Sequence, residues 1–272
     1  MVRHSFCKET KLWKWALLFV GGIALFFILY GCGLAAETVR TPWGKILTYI
    51  SGAALTIAAY ILAVGWTEKR QVDELSWHNA PAHVGRGLLV GVGFFVVVTA
   101  IFYVSGMYHV SGLNPDLVQL LVCFSAFLLT GVCEEVIFRG IIFRMIAERW
   151  NAAVALAVSA LLFGAAHLTN PDATLWSAFA IAIEAGLLLG AAYMASGSLW
   201  FPIGIHWAWN FMEGNVFGFD VSGMAPDFSL LDSDVTGPAI LSGGAFGAEA
   251  SLITVVLGLA ISILFIRRSK VA

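Results

Sequence analysis

The sequence predicts an all-α polytopic membrane protein of about eight transmembrane helices, with both termini on the inner side. Three observations carry this. The 272-residue chain is 60% hydrophobic and only 12% charged, whereas a soluble domain is nearer half apolar and a quarter charged. Its mean hydropathy is +0.87, and apolar runs of spanning length recur from end to end. Basic residues gather on alternate connections, the asymmetry expected when positive loops stay inside. The net charge of −2 and the lack of a basic stripe interleaved with aromatics exclude a nucleic-acid partner. The lipid bilayer is the implied surrounding, with a multi-pass location in the cell membrane.

The elements follow in order. Residues 1–14 carry Arg3, Lys8, Lys11 and Lys14, and the apolar run 15–36 behind them is too long for a signal-peptide core. It is read as the first span. The second covers 46–66, and a polar stretch, 67–83, holds Glu68, Lys69, Arg70, Asp73 and Glu74. The third, 85–106, is rich in Gly and Val, which permits close helix contact in lipid. Asn114-Pro115-Asp116 is a helix-start signal for the fourth, which runs from Leu117 and ends at Arg144, Glu148 and Arg149. The fifth, 152–168, stops at Thr169-Asn170-Pro171-Asp172. The sixth, 175–195, contains Glu184, and Ser196-Gly197-Ser198 connects it tightly to the seventh, 199–217. The loop 218–247 has many Gly, Ser and Asp residues and no Lys or Arg, and reads as a flexible outer linker. The eighth, 250–266, is closed by Arg267, Arg268 and Lys270. In this arrangement the outer face receives only Arg40 and Lys45 of the basic residues. Three regions follow: an N-terminal three-span part (1–116), a four-span core (117–217), and the acidic loop with the last span (218–272). Cys7, Cys32, Cys123 and Cys133 show no CxxC spacing and read as small apolar residues.

The fourth span is unusual in holding Glu134, Glu135 and Arg139. Insertion scales charge about 2.5–3.5 kcal/mol for each such group at the bilayer centre, so they must face a polar interior with partners. Glu135 and Arg139 are four apart and share a helix face, which makes them a buried structural pair. Glu134 points about 100° away and is free for chemistry. In the fifth span Phe163 and His167 share a face. In the seventh His206 and Asn210 do so, with Glu213 seven residues beyond His206. Three helices thus each present a carboxylate, imidazole or amide from inside the membrane. Two chemistries suit that set. A divalent metal such as zinc would take His167, His206 and Glu134 and leave a position for water. Without a metal, Glu134 with a histidine would deprotonate water directly, and Asn210 would donate to an oxyanion.

Taken together and in order, Glu134-Glu135-x-x-x-Arg139, Phe163-x-x-x-His167 and His206-x-x-x-Asn210 resemble the CPBP family of intramembrane proteases. That family includes the type II CAAX prenyl endopeptidases and bacteriocin-processing and immunity proteins. The resemblance covers about residues 117–217. It implies an endopeptidase acting on a membrane-associated peptide or protein. Glu134 would be the water-activating glutamate with His167 beside it, and His206 and Asn210 would hold the oxyanion or a metal. Glu135, Arg139 and Phe163 would support them. The rival classes are a proton-coupled transporter and a non-catalytic membrane immunity or binding protein built on the same buried polar cluster. Sequence signatures of other intramembrane proteases are missing: there is no Gly-x-Gly-Asp, no His-Glu-x-x-His and no Gly-x-Ser-Gly.

Overall fold

The computed structural model describes residues 12–269. The basic stretch with Arg3, Lys8 and Lys11, together with Cys7 and Lys270, lies outside them. The described chain is a helical bundle with one small sheet at one end. Helix α1 spans Leu12–Thr38 and α2 spans Pro42–Glu68. Thr41 caps α2 through a hydroxyl that accepts from the Gly44 N–H, with Pro42 preset for the first turn. Helix α3 is Ala80–Val104 and strand β1 is Tyr108–Leu113. Helix α4 occupies Leu117–Arg149, α5 Ala152–Thr169 and α6 Leu175–Ser196. Asp116 caps α4 by accepting from the Val118 and Gln119 N–H groups, as the Asn-Pro-Asp signal predicts. Helix α7 covers residues 200–216, strand β2 is Leu231–Val235, and helix α8 is Leu252–Arg267.

Six of these helices, α1 to α6, are long and apolar enough to cross a membrane. The two remaining expected spans are shorter. Helix α7 has 11 α-helical and 6 π-helical residues, and α8 has 16. Such lengths reach about 24–26 Å, less than the ~30 Å of a hydrocarbon core. Leu62, Leu89, Leu161 and Leu264 project outward, as a lipid-facing surface requires.

Helix α7 is seated at the centre. It packs on α3, α4 and α6. A Cβ on Gly204 would lie 2.6 Å from the Val84 carbonyl oxygen and 3.1 Å from the Gly87 Cα, so only glycine lets α7 and α3 meet this closely. Trp209 stacks on Phe94, with centroids 4.0 Å apart, and anchors the same interface.

The loop after α7 is not the flexible linker that its composition suggests. Strand β2 pairs antiparallel with β1, from Tyr108 opposite Val235 to Leu113 opposite Leu231, with a bulge between Val110 and Gly112. Asn215 donates to the Phe228 carbonyl at 2.5 Å, and the Tyr108 hydroxyl donates to the Phe217 carbonyl at 2.7 Å. A partner strand more than 100 residues away in sequence gives the loop its order.

At the opposite end from the sheet, Arg144 is buried rather than marking an exposed helix end. Its guanidinium meets Glu68 at 2.5 Å and Glu148 at 3.0 Å, and Nε donates to the Gly140 carbonyl. Arg70 joins this network through Glu68 and Glu74, both at 2.6 Å.

Candidate active site

Glu134 and Glu135 end the α-helical part of α4. The helix then widens into a π-helical stretch, Val136–Phe143, that carries Arg139. Helix α6 widens likewise over Ala182–Leu187, and α7 over Phe211–Val216 directly after Asn210. Such π turns inside α-helices frequently mark functional sites.

Arg139 and Glu135 form the expected pair. Nη1 lies 2.7 Å from Glu135 Oε1, and both side chains are 0% exposed. The guanidinium also donates to the Gly186 carbonyl at 3.0 Å and sits 4.7 Å over the Phe163 ring. Glu135 has a second partner that spacing within one helix could not reveal: His206 Nδ1, at 2.9 Å. Because the paired carboxylate can only accept, Nδ1 donates. The other ring nitrogen, Nε2, stands 3.8 Å from Glu134 Oε2. That oxygen is buried without a hydrogen-bond partner, so Glu134 has an acceptor free for a water proton.

His167 ends α5, where the helix tightens into a final 3₁₀ turn. Its Nδ1 is 2.8 Å from the Phe163 carbonyl. A carbonyl only accepts, so Nδ1 carries the proton and Nε2 presents its lone pair. The Phe163 ring lies between the two histidines, 4.9 Å from the His167 centroid and 5.9 Å from that of His206.

Glu134, Phe163, His167, His206 and Asn210 all line one cavity of about 370 Å³. Glu135 and Arg139 sit behind its wall. The cavity is far larger than one water molecule. Much of its lining is apolar, from Phe19, Ile23 and Phe26 of α1 to Ile137, Phe138 and Ile141 of α4.

The structure changes some of the expected roles. His206, not His167, is the imidazole in ion-pair range of Glu134. Glu213 does not line the cavity although it follows His206 by seven residues, because the π turn rotates it away. Glu213 and Glu184 are both fully buried. The metal reading fits poorly. Among the described residues no three His, Cys, Asp or Glu side chains are grouped to hold an ion. His206 and His167 each commit Nδ1 to the protein.

Some cavity residues lie outside the three motifs and far from them in sequence. Ser222 and Met224 reach in from the loop, and Glu249 from the turn before α8. The Glu249 Oε2 accepts from both the Ser222 N–H and hydroxyl, at 2.8 and 2.7 Å, while Asn170 Nδ2 donates to the Ser222 carbonyl at 3.0 Å. A carboxylate at the head of an apolar segment was the available signal for Glu249. Near this end, burial raises the Asp220 carboxyl above its ordinary range, and Asp172 adds to the effect.

Comparison with known proteins agrees with the motif reading. Residues 116–212 match the family described as Type II CAAX prenyl endopeptidase Rce1-like. The match coincides with the segment that carries the three motifs. A relative described as an uncharacterized 24.3 kDa protein from Escherichia coli is 26% identical over 209 residues, covering 72% of this chain and 91% of its own. No solved structure matches the chain.

Proposed function

We propose that this chain, whose residues 116–212 match the Rce1-like type II CAAX prenyl endopeptidase family, is an endopeptidase that cuts a membrane-associated substrate by direct attack of water. The observation that carries this reading is the unpartnered Glu134 Oε2 facing His206 inside an apolar cavity.

Glu134 takes a proton from water as the water oxygen bonds to the scissile carbonyl carbon. The carbonyl oxygen becomes an oxyanion. Asn210 donates to it from its amide. His206, set between two carboxylates, donates from Nε2 while Glu135 holds Nδ1. Arg139 and the Phe163 ring keep Glu135, and through it His206, in place. The C–N bond then breaks, and Glu134 returns its proton to the leaving nitrogen. His167 offers its Nε2 lone pair to orient the water or the departing amine. Every step uses groups of this chain, and none needs a metal.

The apolar wall from α1 and α4 supports a substrate held by an apolar anchor. The family match supports a protease over a proton-coupled transporter or a non-catalytic immunity protein. Purified protein in liposomes is expected to cleave a membrane-anchored peptide reporter at one bond, read by mass spectrometry, with undiminished rate after chelation. Proton flux across the same vesicles without cleavage would support the transporter instead.

A further inference from the structure

Helix α7 carries three tryptophans, Trp200, Trp207 and Trp209. An indole offers one N–H donor and no acceptor, and a buried donor is nearly always paired. Trp207 follows the rule: its Nε1 donates to the Phe124 carbonyl at 2.7 Å. So does Trp176 of α6, whose Nε1 donates to the Ala250 carbonyl at 2.7 Å. Trp209 does not. It is 2% exposed, and its Nε1 is buried with no hydrogen-bond partner. Glu213, one turn further along α7, does not accept from it, since both Glu213 oxygens lack a partner too. Trp200 Nε1 is also unpaired, but Trp200 packs on Trp77 and takes no part in the cavity wall. Trp209 does line the cavity. His206, Trp209 and Asn210 stand at i, i+3 and i+4 on one helix face, and all three border the chamber.

The ring is held from behind. It stacks on Phe94 and meets Phe95 edge-on, with centroids 5.1 Å apart. The backbone is fixed as well: a Cβ on Gly91 of α3 would stand 2.5 Å from the Ile205 carbonyl oxygen and 3.0 Å from the Trp209 nitrogen. A donor fixed in this way loses little freedom when a ligand binds. It is uncharged and cannot accept, so it suits neither a metal nor an amine; a carbonyl oxygen satisfies it. We propose that Trp209 Nε1 is a substrate-binding donor that takes a backbone carbonyl of the peptide beside the scissile bond, while His206 and Asn210 serve the scissile oxygen. The inference rests on the protease reading for its ligand. It adds a contact that reads main chain and not side chain. Such a contact sets which bond lies over Glu134, whatever residues flank that bond.

The test is an oxygen-to-sulfur scan of the substrate. In a membrane-anchored reporter, each peptide carbonyl flanking the mapped cleavage site is changed in turn to a thiocarbonyl, a weaker acceptor of similar shape. Cleavage is measured on wild type, on Trp209→Phe, and on protein with benzothienylalanine in place of Trp209, which exchanges only the indole N–H for sulfur. At one position the thioamide should lower kcat/KM about fivefold in wild type, the worth of one hydrogen bond. In both variants that oxygen/sulfur ratio should fall to about one, whatever the absolute rates. A variant that is merely distorted would slow every reporter alike and keep the ratio. Should Trp209→Phe fail to fold, the benzothienyl protein retains the shape of the indole and carries the test. If no position shows a ratio that depends on residue 209, the subsite is overturned and the protease stands. Affinity for the same peptides is measured on Glu134→Gln protein, with and without Trp209→Phe. A ratio in binding that Trp209→Phe removes, with no cleavage by wild type, would keep the subsite and remove the protease. A ratio seen in cleavage but absent from binding would overturn the assignment to a flanking carbonyl.

Discussion

Arg139 holds the site from behind without touching the cavity. It is the cation paired with Glu135, and Glu135 in turn fixes His206. Arg139→Ala should therefore strand a buried carboxylate, at a cost of about 3–5 kcal/mol. Arg144 is buried as well, but Glu68 and Glu74 keep Arg70 when it is removed. Thermal unfolding should rank the variants wild type, then Arg144→Ala, then Arg139→Ala. An Arg139→Ala protein no less stable than Arg144→Ala would contradict the pairing. The Glu135–Arg139 pair is legible in sequence because both members lie four apart on one helix. The Glu135–His206 bond is not, because it joins residues 71 apart and depends on how α7 is rotated against α4. Periodicity assigns a helix face but not the neighbour it meets, and the resemblance alone set His167 beside Glu134.

Helices α3 and α7 show what a glycine-rich span is for. The Gly and Val content of the third span implies close packing, and the contact at Gly204 supplies the partner. Gly204→Val should force the two helices apart. Overpacking of this kind typically costs about 1–3 kcal/mol, and here it would also displace His206, two residues on. Gly31→Val is the control, since a Cβ there meets nothing within 4 Å. Loss of both cleavage and thermal stability is expected for Gly204→Val alone. Equal behaviour of the two variants would show that the close contact does not seat α7. The loop between α7 and α8 was the least legible element. Its polar, glycine-rich composition looks like a linker, yet β2 finds β1 across the chain. Non-local pairing of this kind leaves almost no local pattern in so short a strand. The three π turns were equally hidden, and one of them removes Glu213 from the face that a regular helix would give it.

At the scale of the whole molecule, the charge asymmetry implies that the sheet and the acidic loop lie outside and both termini inside. In a variant lacking Cys7, Cys32, Cys123 and Cys133, a cysteine placed at Asp234 should react with an impermeant reagent added to intact cells. One placed at Arg268 should react only after permeabilisation. The reverse labelling would invert the orientation and place the Glu249 end of the cavity inside.

The central claim is that groups from α4, α5 and α7 converge on one chamber where Glu134 activates water. The most direct measurement is single-turnover cleavage of a membrane-anchored reporter by wild type and Glu134→Gln, with thermal unfolding of both. The account predicts that Glu134→Gln unfolds like wild type while cleavage falls by about 10²–10⁴-fold, the usual contribution of a general base. Cleavage by the folded Glu134→Gln protein at the wild-type rate would contradict it.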